Sequence, residues 1–358
     1  MKTMSGGAGA AGLSRPAKAA SMEDVARAAG VSMKTVSRVV NNEPNVALVT
    51  RERVLAAIAD LEYRPSVSAR ALAAKSSFCI GLVQITPTGD YNAEIQYGAI
   101  SACQQRGYHL ILSRLEDYYQ LSKRALARRV DELFDNPQPD YAILPPPICD
   151  DEVIAARLRA RGVGVVRISP KSLAADAASV SIDERAAARE MTRALIGMGH
   201  RRIAIVKGNP LHAATSARLD GFCEAMAAAD LAVEEALVFD GDFYFLSGVA
   251  AGEAMFAMDA PPTAVFATND EMAAGVSIAA HRAGLSIPCD VSIAGFDDTS
   301  TARLTWPALT TVRQPVREIA MRAALLAIDA KSAANEKDVV LDYELVMRES
   351  TGPAPEKT

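Results

Sequence analysis

The stretch SMEDVARAAGVSMKTVSRVVNN, residues 21–42, encodes two short amphipathic helices separated by a tight turn. Ser21 is a favourable N-cap, and Asp24 three residues later completes a near capping box. Apolar side chains then recur with the i, i+3, i+4, i+7 spacing of one buried helix face, at Met22, Val25, Ala26 and Ala29. Gly30 ends this helix, because glycine adopts the left-handed C-cap conformation without steric cost.

The second helix follows almost at once, with Ser32 as its cap. Its expected buried face consists of Val36, Val39 and Val40. The opposite face carries two pairs of residues spaced i, i+4, Met33 with Ser37 and Lys34 with Arg38. Nothing in the sequence implies an apolar surface that would cover this face. Two helices joined by so short a turn predict a helix-turn-helix whose second helix enters a DNA major groove. There, side chains near the helix start reach base edges, and hydroxyl groups and cations hold phosphates.

The charge distribution favours contact with nucleic acid at one end of the chain. The net charge is −5, yet residues 1–75 hold 11 Lys and Arg against 6 Asp and Glu, whereas the remainder holds 27 against 37. A basic head on an acidic body is typical of a protein that binds nucleic acid through its head. Residues 1–20 lack the continuous apolar segment of a secretory signal, so they are either a disordered basic tail or an over-extended translation start.

Length and composition limit the possible classes. A chain of 358 residues predicts two or three domains, and no run of 18 apolar residues suggests a membrane span. Five cysteines lie far apart without metal-ligand spacing, at Cys79, Cys103, Cys149, Cys223 and Cys289. We therefore expect reduced, mostly buried thiols in a cytoplasmic protein that needs no metal and no cofactor.

From residue 78 onward, short β-rich runs alternate with helical segments. Strands are expected at 78–84, 108–113, 141–145, 163–169, 202–207, 237–241, 263–268 and 291–296. This alternation predicts parallel βαβ units, and apolar runs without a period of two predict strands covered on both faces. Two successive sets of the pattern predict two Rossmann-like halves.

The run DVARAAGVSMKTVSRVVNN resembles the DNA-reading headpiece of the LacI/GalR family of bacterial transcription regulators. Five later segments extend the resemblance over residues 22–349, namely GMGHRRIAIV, SARLDGF, PTAVFATND, GLSIPCDVSIAGFDD and PALTTVRQP. It implies an N-terminal all-α helix-turn-helix headpiece followed by an α/β periplasmic-binding-protein-like core of two Rossmann-like subdomains.

The resemblance divides the chain into a headpiece, a hinge and a core. We expect a tail at 1–20, a DNA-binding domain at 21–64, a hinge helix and linker at 65–77, an effector-binding and dimerisation core at 78–350, and a tail at 351–358. Within the core we expect an N-subdomain at about 78–177 and 297–335 and a C-subdomain at about 178–296 and 336–350. Residues 66–74 are too few for a helix that is stable alone, so the hinge should form only when a partner stabilises it.

The resemblance also implies the DNA contacts of a homodimer on a palindromic operator. Base readout is expected from Met33, Lys34 and Arg38. Phosphate contacts are expected from Ser32, Thr35, Ser37 and Asn41. In the hinge, Leu72 matches a leucine wedged between minor-groove base steps, and Ala69 matches the small residue beside it.

A ligand cleft is expected where the strands of the two halves end, because open α/β sheets bind ligands beyond the carboxyl ends of their strands. Strand ends are followed by Asp90, Tyr91, Phe243, Asn269 and Asp297, and Arg218 lies at the start of a helix. The resemblance implies effector contacts for Arg218, Phe243, Asn269 and Asp297, and it places Asp90 and Tyr91 on the segment that lines the ligand site. Carboxylates, a guanidinium, an amide and aromatic rings suit a polyhydroxylated ligand. Each has a structural alternative: Asp297 could cap the next turn, and Asn269 or Asp270 could cap the following helix.

These patterns predict a repressor whose operator affinity is controlled by a small molecule in the cleft, most simply a sugar or glycoside. A purine or a phosphorylated metabolite acting as co-repressor is the alternative within the same class. A sugar-binding transport receptor would have no use for residues 21–75. An enzyme is disfavoured because no catalytic grouping, P-loop or nucleophile elbow appears in the sequence.

Overall fold

The chain forms two compact units that divide at Ser76. The computed structural model describes residues 20–40, 44–63, 76–86, 89–135, 138–330 and 337–356. Three predicted DNA contacts, Asn41, Ala69 and Leu72, lie outside the described residues, as does most of the predicted hinge segment.

The described part of the first unit contains three helices, α1 (Met22–Ala29), α2 (Met33–Val40) and α3 (Leu48–Asp60). The predicted capping box of α1 is present: the Asp24 N–H donates to Ser21 Oγ at 3.3 Å, and the Ser21 N–H donates to Asp24 Oδ2 at 2.9 Å. Gly30 takes the left-handed conformation, with φ of +62°, that ends the helix. The predicted turn between the two helices is therefore confirmed.

The sequence predicts a third helix from about Thr50 to Leu61, with an apolar face formed by Val54, Leu55, Ile58 and Leu61. The third helix of the structure differs from this prediction at two points. It begins at Leu48 rather than near Thr50, although Ala47 provides no side-chain cap. Val54 and Ala57 are buried in the small core, whereas Leu55 is half exposed. The reason is geometric: one residue turns the helix by about 100°, so Leu55 lies outside the stripe that Val54 and Ala57 share.

The second unit, residues 77–358, contains two six-stranded sheets. The first sheet is parallel and runs in the order β11-β5-β4-β3-β1-β2. Its strands are β1 (Cys79–Gln84), β2 (His109–Arg114), β3 (Tyr141–Leu144), β4 (Gly164–Ile168), β5 (Ala178–Ser181) and β11 (Asp338–Val340). Four helices pack on it, α4 (Asp90–Arg106), α5 (Lys123–Leu133), α6 (Glu152–Ala160) and α12 (Val316–Ile328). We call this half the first subdomain.

The second sheet runs in the order β12-β10-β9-β8-β6-β7. Its strands are β6 (Ile203–Val206), β7 (Val238–Phe239), β8 (Ala264–Ala267), β9 (Ser292–Asp297), β10 (Thr310–Arg313) and β12 (Glu344–Val346). It carries α7 (Glu184–Gly197), α8 (Ala213–Ala228), α9 (Phe245–Phe256), α10 (Asp270–Arg282) and the short α11 (Ser300–Leu304). Only β12 pairs antiparallel among the described strands. This half is the second subdomain.

Both sheets have the covered faces that their apolar runs predict. Every residue of β1, β6 and β8 is buried. In the first sheet, Leu82 packs in the cluster that contains α4 and α12 residues, whereas its neighbour Val83 packs in the cluster of α5 and α6. Helices therefore shield both faces, as parallel sheets require.

The sheet pairing moves the predicted subdomain boundaries. Ala178–Ser181 pairs with β4 in the first sheet instead of opening the second subdomain. Residue 297 ends β9, and Thr310–Arg313 pairs with β9, so both belong to the second sheet rather than the first. The segment 336–350, expected wholly in the C-subdomain, is divided between the sheets, because Asp338–Val340 pairs with β5 and the next strand pairs with β10. Hydrophobicity marks a strand but does not identify its partner.

The remaining predictions concern the membrane and the cysteines. No helix in the described parts of the chain combines the length and the apolar character needed to cross a membrane. All five cysteines are free thiols, and Cys79, Cys103 and Cys149 are buried. The expectation of mostly buried, unpaired thiols is therefore confirmed.

Close packing of α4 against α12 yields a stability prediction. A Cβ added at Gly98 would overlap the carbonyl oxygen of Arg317 and the side chain of Ala320. We expect Gly98→Ala to lower the free energy of unfolding by about 1–3 kcal/mol, because a well-packed helix contact cannot take an extra methyl group. Urea denaturation measures the difference.

Gly197→Ala provides the control, since no other group lies within 4 Å of a Cβ at that helix position. Alanine there should leave stability unchanged or raise it slightly. Equal stability of Gly98→Ala and the wild type would show that the two helices are not in close contact.

Candidate functional site

A cavity of about 330 Å³ lies in the second unit, at the carboxyl ends of strands from both sheets. The first subdomain contributes the segment after β1 and the turns after β3 and β4. The second contributes the starts of α7, α8 and α10 and the loop before α9. Five of the six predicted effector residues line it, namely Tyr91, Arg218, Phe243, Asn269 and Asp297.

Arg218 of α8 is the charged centre of the cavity wall. Its Nε donates to Glu184 Oε2 at 2.8 Å, and its guanidinium donates to the carbonyl oxygen of Thr268. The guanidinium carbon lies 3.6 Å from the centroid of the Phe296 ring. Burial alone would lower the pKa of Arg218, but the carboxylates of Glu184 and Asp297 raise it. A permanent buried cation is thus fixed at this edge of the sheet.

Asp297 ends β9 with φ of +109° and faces Arg218, with 3.8 Å between Oδ1 and the guanidinium nitrogen. The Gln314 side-chain amide donates to the same oxygen at 2.6 Å. Burial raises the pKa of Asp297 to about 8; Arg218 opposes this shift, and Asp270 adds to it. The following turn is held by Asp270 instead, whose carboxylate accepts from the Thr299 N–H at 2.8 Å. The alternative in which Asp297 caps that turn is therefore wrong.

Asn269 is a helix cap in this structure, as its structural alternative proposed. Its Oδ1 accepts from the Met272 N–H at 3.0 Å at the start of α10. Its Nδ2 donates to the Phe243 carbonyl at 2.8 Å. Both polar groups are therefore engaged, and the amide holds Phe243 in its left-handed conformation, with φ of +75°.

Phe243 and His212 form an aromatic wall. Their ring centroids are 5.0 Å apart, and the Phe243 ring covers Gly208, where any Cβ would overlap it. Burial, aided by Arg218, lowers the pKa of His212 to about 4. The imidazole is therefore neutral at neutral pH and adds no positive charge to the cavity.

Two predicted effector residues, Asp90 and Tyr91, lie in the first turn of α4, and only Tyr91 lines the cavity. Tyr91 lines the cavity, and its hydroxyl has no hydrogen-bond partner among the described residues; burial raises its pKa. Asp90 does not line the cavity, so its placement there was wrong. Its carboxylate instead accepts a hydrogen bond from the Ser300 hydroxyl, which joins the two subdomains. Adjacent helical residues point about 100° apart, and in this turn Tyr91 faces the cavity whereas Asp90 is turned toward Ser300.

Several residues of the wall were not predicted. Glu184 begins α7 directly after β5 and Glu271 lies in the first turn of α10. Ser169 follows β4, is buried, and has a hydroxyl without a hydrogen-bond partner. The rule of searching after each strand would have found Ser169, and would have found Glu184 if β5 had been recognised.

In the first unit, α2 presents the predicted DNA-contacting face. Met33 and Lys34 in its first turn are exposed, and Ser37 and Arg38 are partly exposed. Ser32 Oγ accepts from the Thr35 N–H at 3.2 Å and bonds the Thr35 hydroxyl at 3.0 Å, so Ser32 caps the helix. Long side chains at the helix start with a capped N-terminus have the form of a recognition helix.

The raised pKa of Asp297 yields a prediction for pH. The folded protein holds a proton at this carboxyl more tightly than the unfolded chain does, because the pKa of an aspartate in an unfolded chain is about 4. This site therefore favours folding at low pH and loses that contribution as pH rises toward about 8. Relative to Asp297→Asn, the melting temperature of the wild type should fall between about pH 5 and pH 8.5. Calorimetry across this range measures it.

Asp131→Asn serves as the control, because the Arg157 contact lowers the pKa of Asp131 below its usual value. The difference in melting temperature between Asp131→Asn and the wild type should stay constant over the same pH range. A constant difference for Asp297→Asn as well would contradict the raised pKa.

Comparison with known proteins connects both sites to one family. Residues 21–66 match the model of bacterial regulatory proteins of the lacI family. Residues 192–351 match the periplasmic binding protein-like domain. The first match contains the helix-turn-helix, and the second contains most of the second subdomain.

Curated relatives match over almost their whole length. Catabolite control protein A of Priestia megaterium is 33% identical over 338 residues, covering 92% of this chain and 98% of its own. The HTH-type transcriptional repressor PurR of Vibrio campbellii is 34% identical over 341 residues, with the same two coverages.

Solved structures show the same architecture. The lac repressor dimer bound to operator and the anti-inducer ONPF matches with a TM-score of 0.77 and 27% identity, covering 94% of this chain and all of that one. The complex of the transcriptional regulator CelR with cellobiose matches with a TM-score of 0.69 and 30% identity, covering 92% and 99%. This chain therefore belongs to the lacI family of bacterial regulatory proteins and is a DNA-binding transcription regulator.

Proposed function

We propose that this regulator is a repressor whose operator affinity is set by a neutral polyhydroxylated ligand, a sugar or glycoside, bound in the cavity around Arg218. The DNA contacts are those of the exposed face of α2. The lac repressor structure is a dimer on operator DNA, and a dimer of this chain would meet a palindromic operator.

The observation that supports a sugar is the excess of hydrogen-bond acceptors in the cavity wall. Three carboxylates line it, those of Glu184, Asp242 and Glu271, together with the carboxyl group of Asp297, whose pKa of about 8 favours its protonated form at neutral pH; the single guanidinium is that of Arg218. Hydroxyl groups donate to carboxylates in strong charge-assisted hydrogen bonds, so a ligand with many hydroxyls matches this wall. The aromatic rings of Tyr91 and Phe243 supply the apolar surface that such a site also needs.

The same wall disfavours the alternative ligands. A phosphate group would meet several carboxylates and one cation, and like charges in a buried site cost affinity. A purine base could stack on Phe243 or Tyr91, and PurR repressors are among the relatives. A purine offers few N–H donors, however, and would leave carboxylates buried without partners. The CelR structure, by contrast, contains cellobiose.

Control of DNA binding then follows from the position of the cavity between the two subdomains. A ligand held by Tyr91 on one side and Arg218 on the other binds open and closed forms with different affinity, which shifts their populations. That shift would move the first subdomains of a dimer, and with them the hinge segments at 65–77, relative to each other. The carboxylates serve to hold the ligand rather than to act as an acid–base pair, so we propose no catalytic activity.

A ligand panel tests the proposed chemistry. At 100 times its dissociation constant, a ligand should stabilise the fold by about 2.7 kcal/mol, which a thermal shift detects. We expect a sugar to raise the melting temperature, and sugar phosphates and purines to have no effect. Glu271→Gln should weaken the bound sugar by about tenfold, because it removes a charged acceptor from the wall.

Glu253→Gln is the matched control, since Glu253 pairs with Arg282 on the surface and does not line the cavity. It should leave sugar affinity unchanged. Stabilisation by purines or sugar phosphates alone would overturn the sugar proposal while leaving the DNA-binding assignment intact.

Base readout by α2 gives a separate prediction. Lys34→Ala should relax the sequence preference at one base pair of each half-site, at a cost of about 1–3 kcal/mol for the preferred base. Binding to a randomised DNA library, followed by sequencing, measures the preference at every position. Lys123→Ala removes an exposed lysine of the core and should change no base preference.

Equal weakening of all sequences by Lys34→Ala would assign Lys34 to a phosphate contact. The prediction that the Lys34 side chain reads a base would then be wrong.

A further inference from the structure

Two tyrosines at the edge of the cavity are not needed for the core or for the Arg218 cluster. Tyr119 belongs to the 3-10 turn Tyr118–Gln120 of the first subdomain, and Tyr244 precedes α9 in the second. Both line the cavity, yet their exposed fractions are 53% and 54%. Tyrosine is enriched at binding sites, where its ring packs on apolar surface while its hydroxyl stays in water.

The Tyr119 ring is held by its neighbour. The rings of Tyr118 and Tyr119 pack edge to face, with centroids 5.3 Å apart and planes at 67°. The Tyr118 hydroxyl in turn donates to Asp151 Oδ2 at 3.0 Å. This support limits how far the Tyr119 ring can turn away from the cavity.

The Tyr244 backbone is held equally firmly. Its N–H donates to Asp242 Oδ1 at 2.9 Å, and its carbonyl accepts from Ser247 Oγ at 2.8 Å. Burial, and to a lesser extent Tyr244, raises the pKa of Tyr119. The supported ring of Tyr119 and the ring of Tyr244, which stands on a supported backbone, therefore border the same opening from the two subdomains. Rings that are ordered before binding lose little entropy when a ligand arrives.

We propose that Tyr119 and Tyr244 form a second subsite that holds the second ring of a disaccharide whose first ring lies against Arg218. This inference rests on the proposed sugar-binding function and names the length of the ligand. The C–H face of a sugar ring packs on an aromatic face, and the phenolic hydroxyls can donate to or accept from its hydroxyl groups.

The second subsite would also affect how the ligand controls DNA binding. A monosaccharide beside Arg218 would leave both tyrosines exposed to water. A second ring between them contacts both subdomains at once, so it favours the arrangement in which the two tyrosines are close. Ligand length would then determine how strongly the ligand changes DNA affinity.

Matched sugars test the proposal on the full chain. Isothermal titration compares glucose with maltose and cellobiose, and galactose with lactose and melibiose. We expect at least one disaccharide to bind about tenfold tighter than its monosaccharide units, a ratio consistent with two added aromatic contacts. The double variant Tyr119→Ala with Tyr244→Ala should lose that advantage. Leu246→Ala is the control, because Leu246 is 76% exposed on the same segment and does not line the cavity.

The outcomes distinguish this inference from the function on which it rests. Monosaccharide binding as tight as that of every disaccharide would overturn the second subsite and leave the sugar proposal standing. A disaccharide preference that survives the double variant would also overturn it. Binding of none of these sugars would contradict the proposed function itself and the subsite with it.

Discussion

The buried guanidinium of Arg218 is the constraint on which the ligand-binding half of this protein depends. A cation removed from water is costly unless close partners replace its hydration. The partners here come from three different elements: Glu184 from the start of α7, Asp297 from the end of β9, and the Thr268 carbonyl from the turn after β8. Satisfying one charge therefore fixes the carboxyl edge of the second sheet, and that edge is one wall of the cavity.

Much of the fold could be predicted from local signals. The capping box of Ser21 and Asp24 and the left-handed Gly30 define the helix-turn-helix by local contacts alone, and both are present. Buried parallel strands were recognisable as apolar runs between helices. The strand partners were not, since β5, β10, β11 and β12 are short and could hydrogen-bond to either sheet. Their place depends on helix packing far along the chain, which periodicity does not contain.

The candidate site was predictable to the extent that it follows strand ends. Phe243 and Asp297 were found in this way, because a parallel sheet brings its carboxyl ends to one edge. Arg218 lies within a helix, and its role was implied by the family resemblance. Asp90 failed because the direction of a side chain in the first turn of a helix depends on a rotation that sequence does not fix. Asn269 was ambiguous for a chemical reason: asparagine is a good helix cap and a good ligand contact, and here both of its polar groups serve the protein.

The most direct test of the account is the affinity of the full-length dimer for its selected palindromic DNA, measured with and without the sugar that stabilises it most. If the cavity around Arg218 controls DNA binding, the sugar should change the dissociation constant by at least about fivefold, the lower end of typical allosteric coupling. The DNA should change the affinity for the sugar by the same factor, since coupling is reciprocal. Equal DNA affinity with the cavity empty and saturated would contradict the account, because a ligand that does not distinguish the two states cannot regulate.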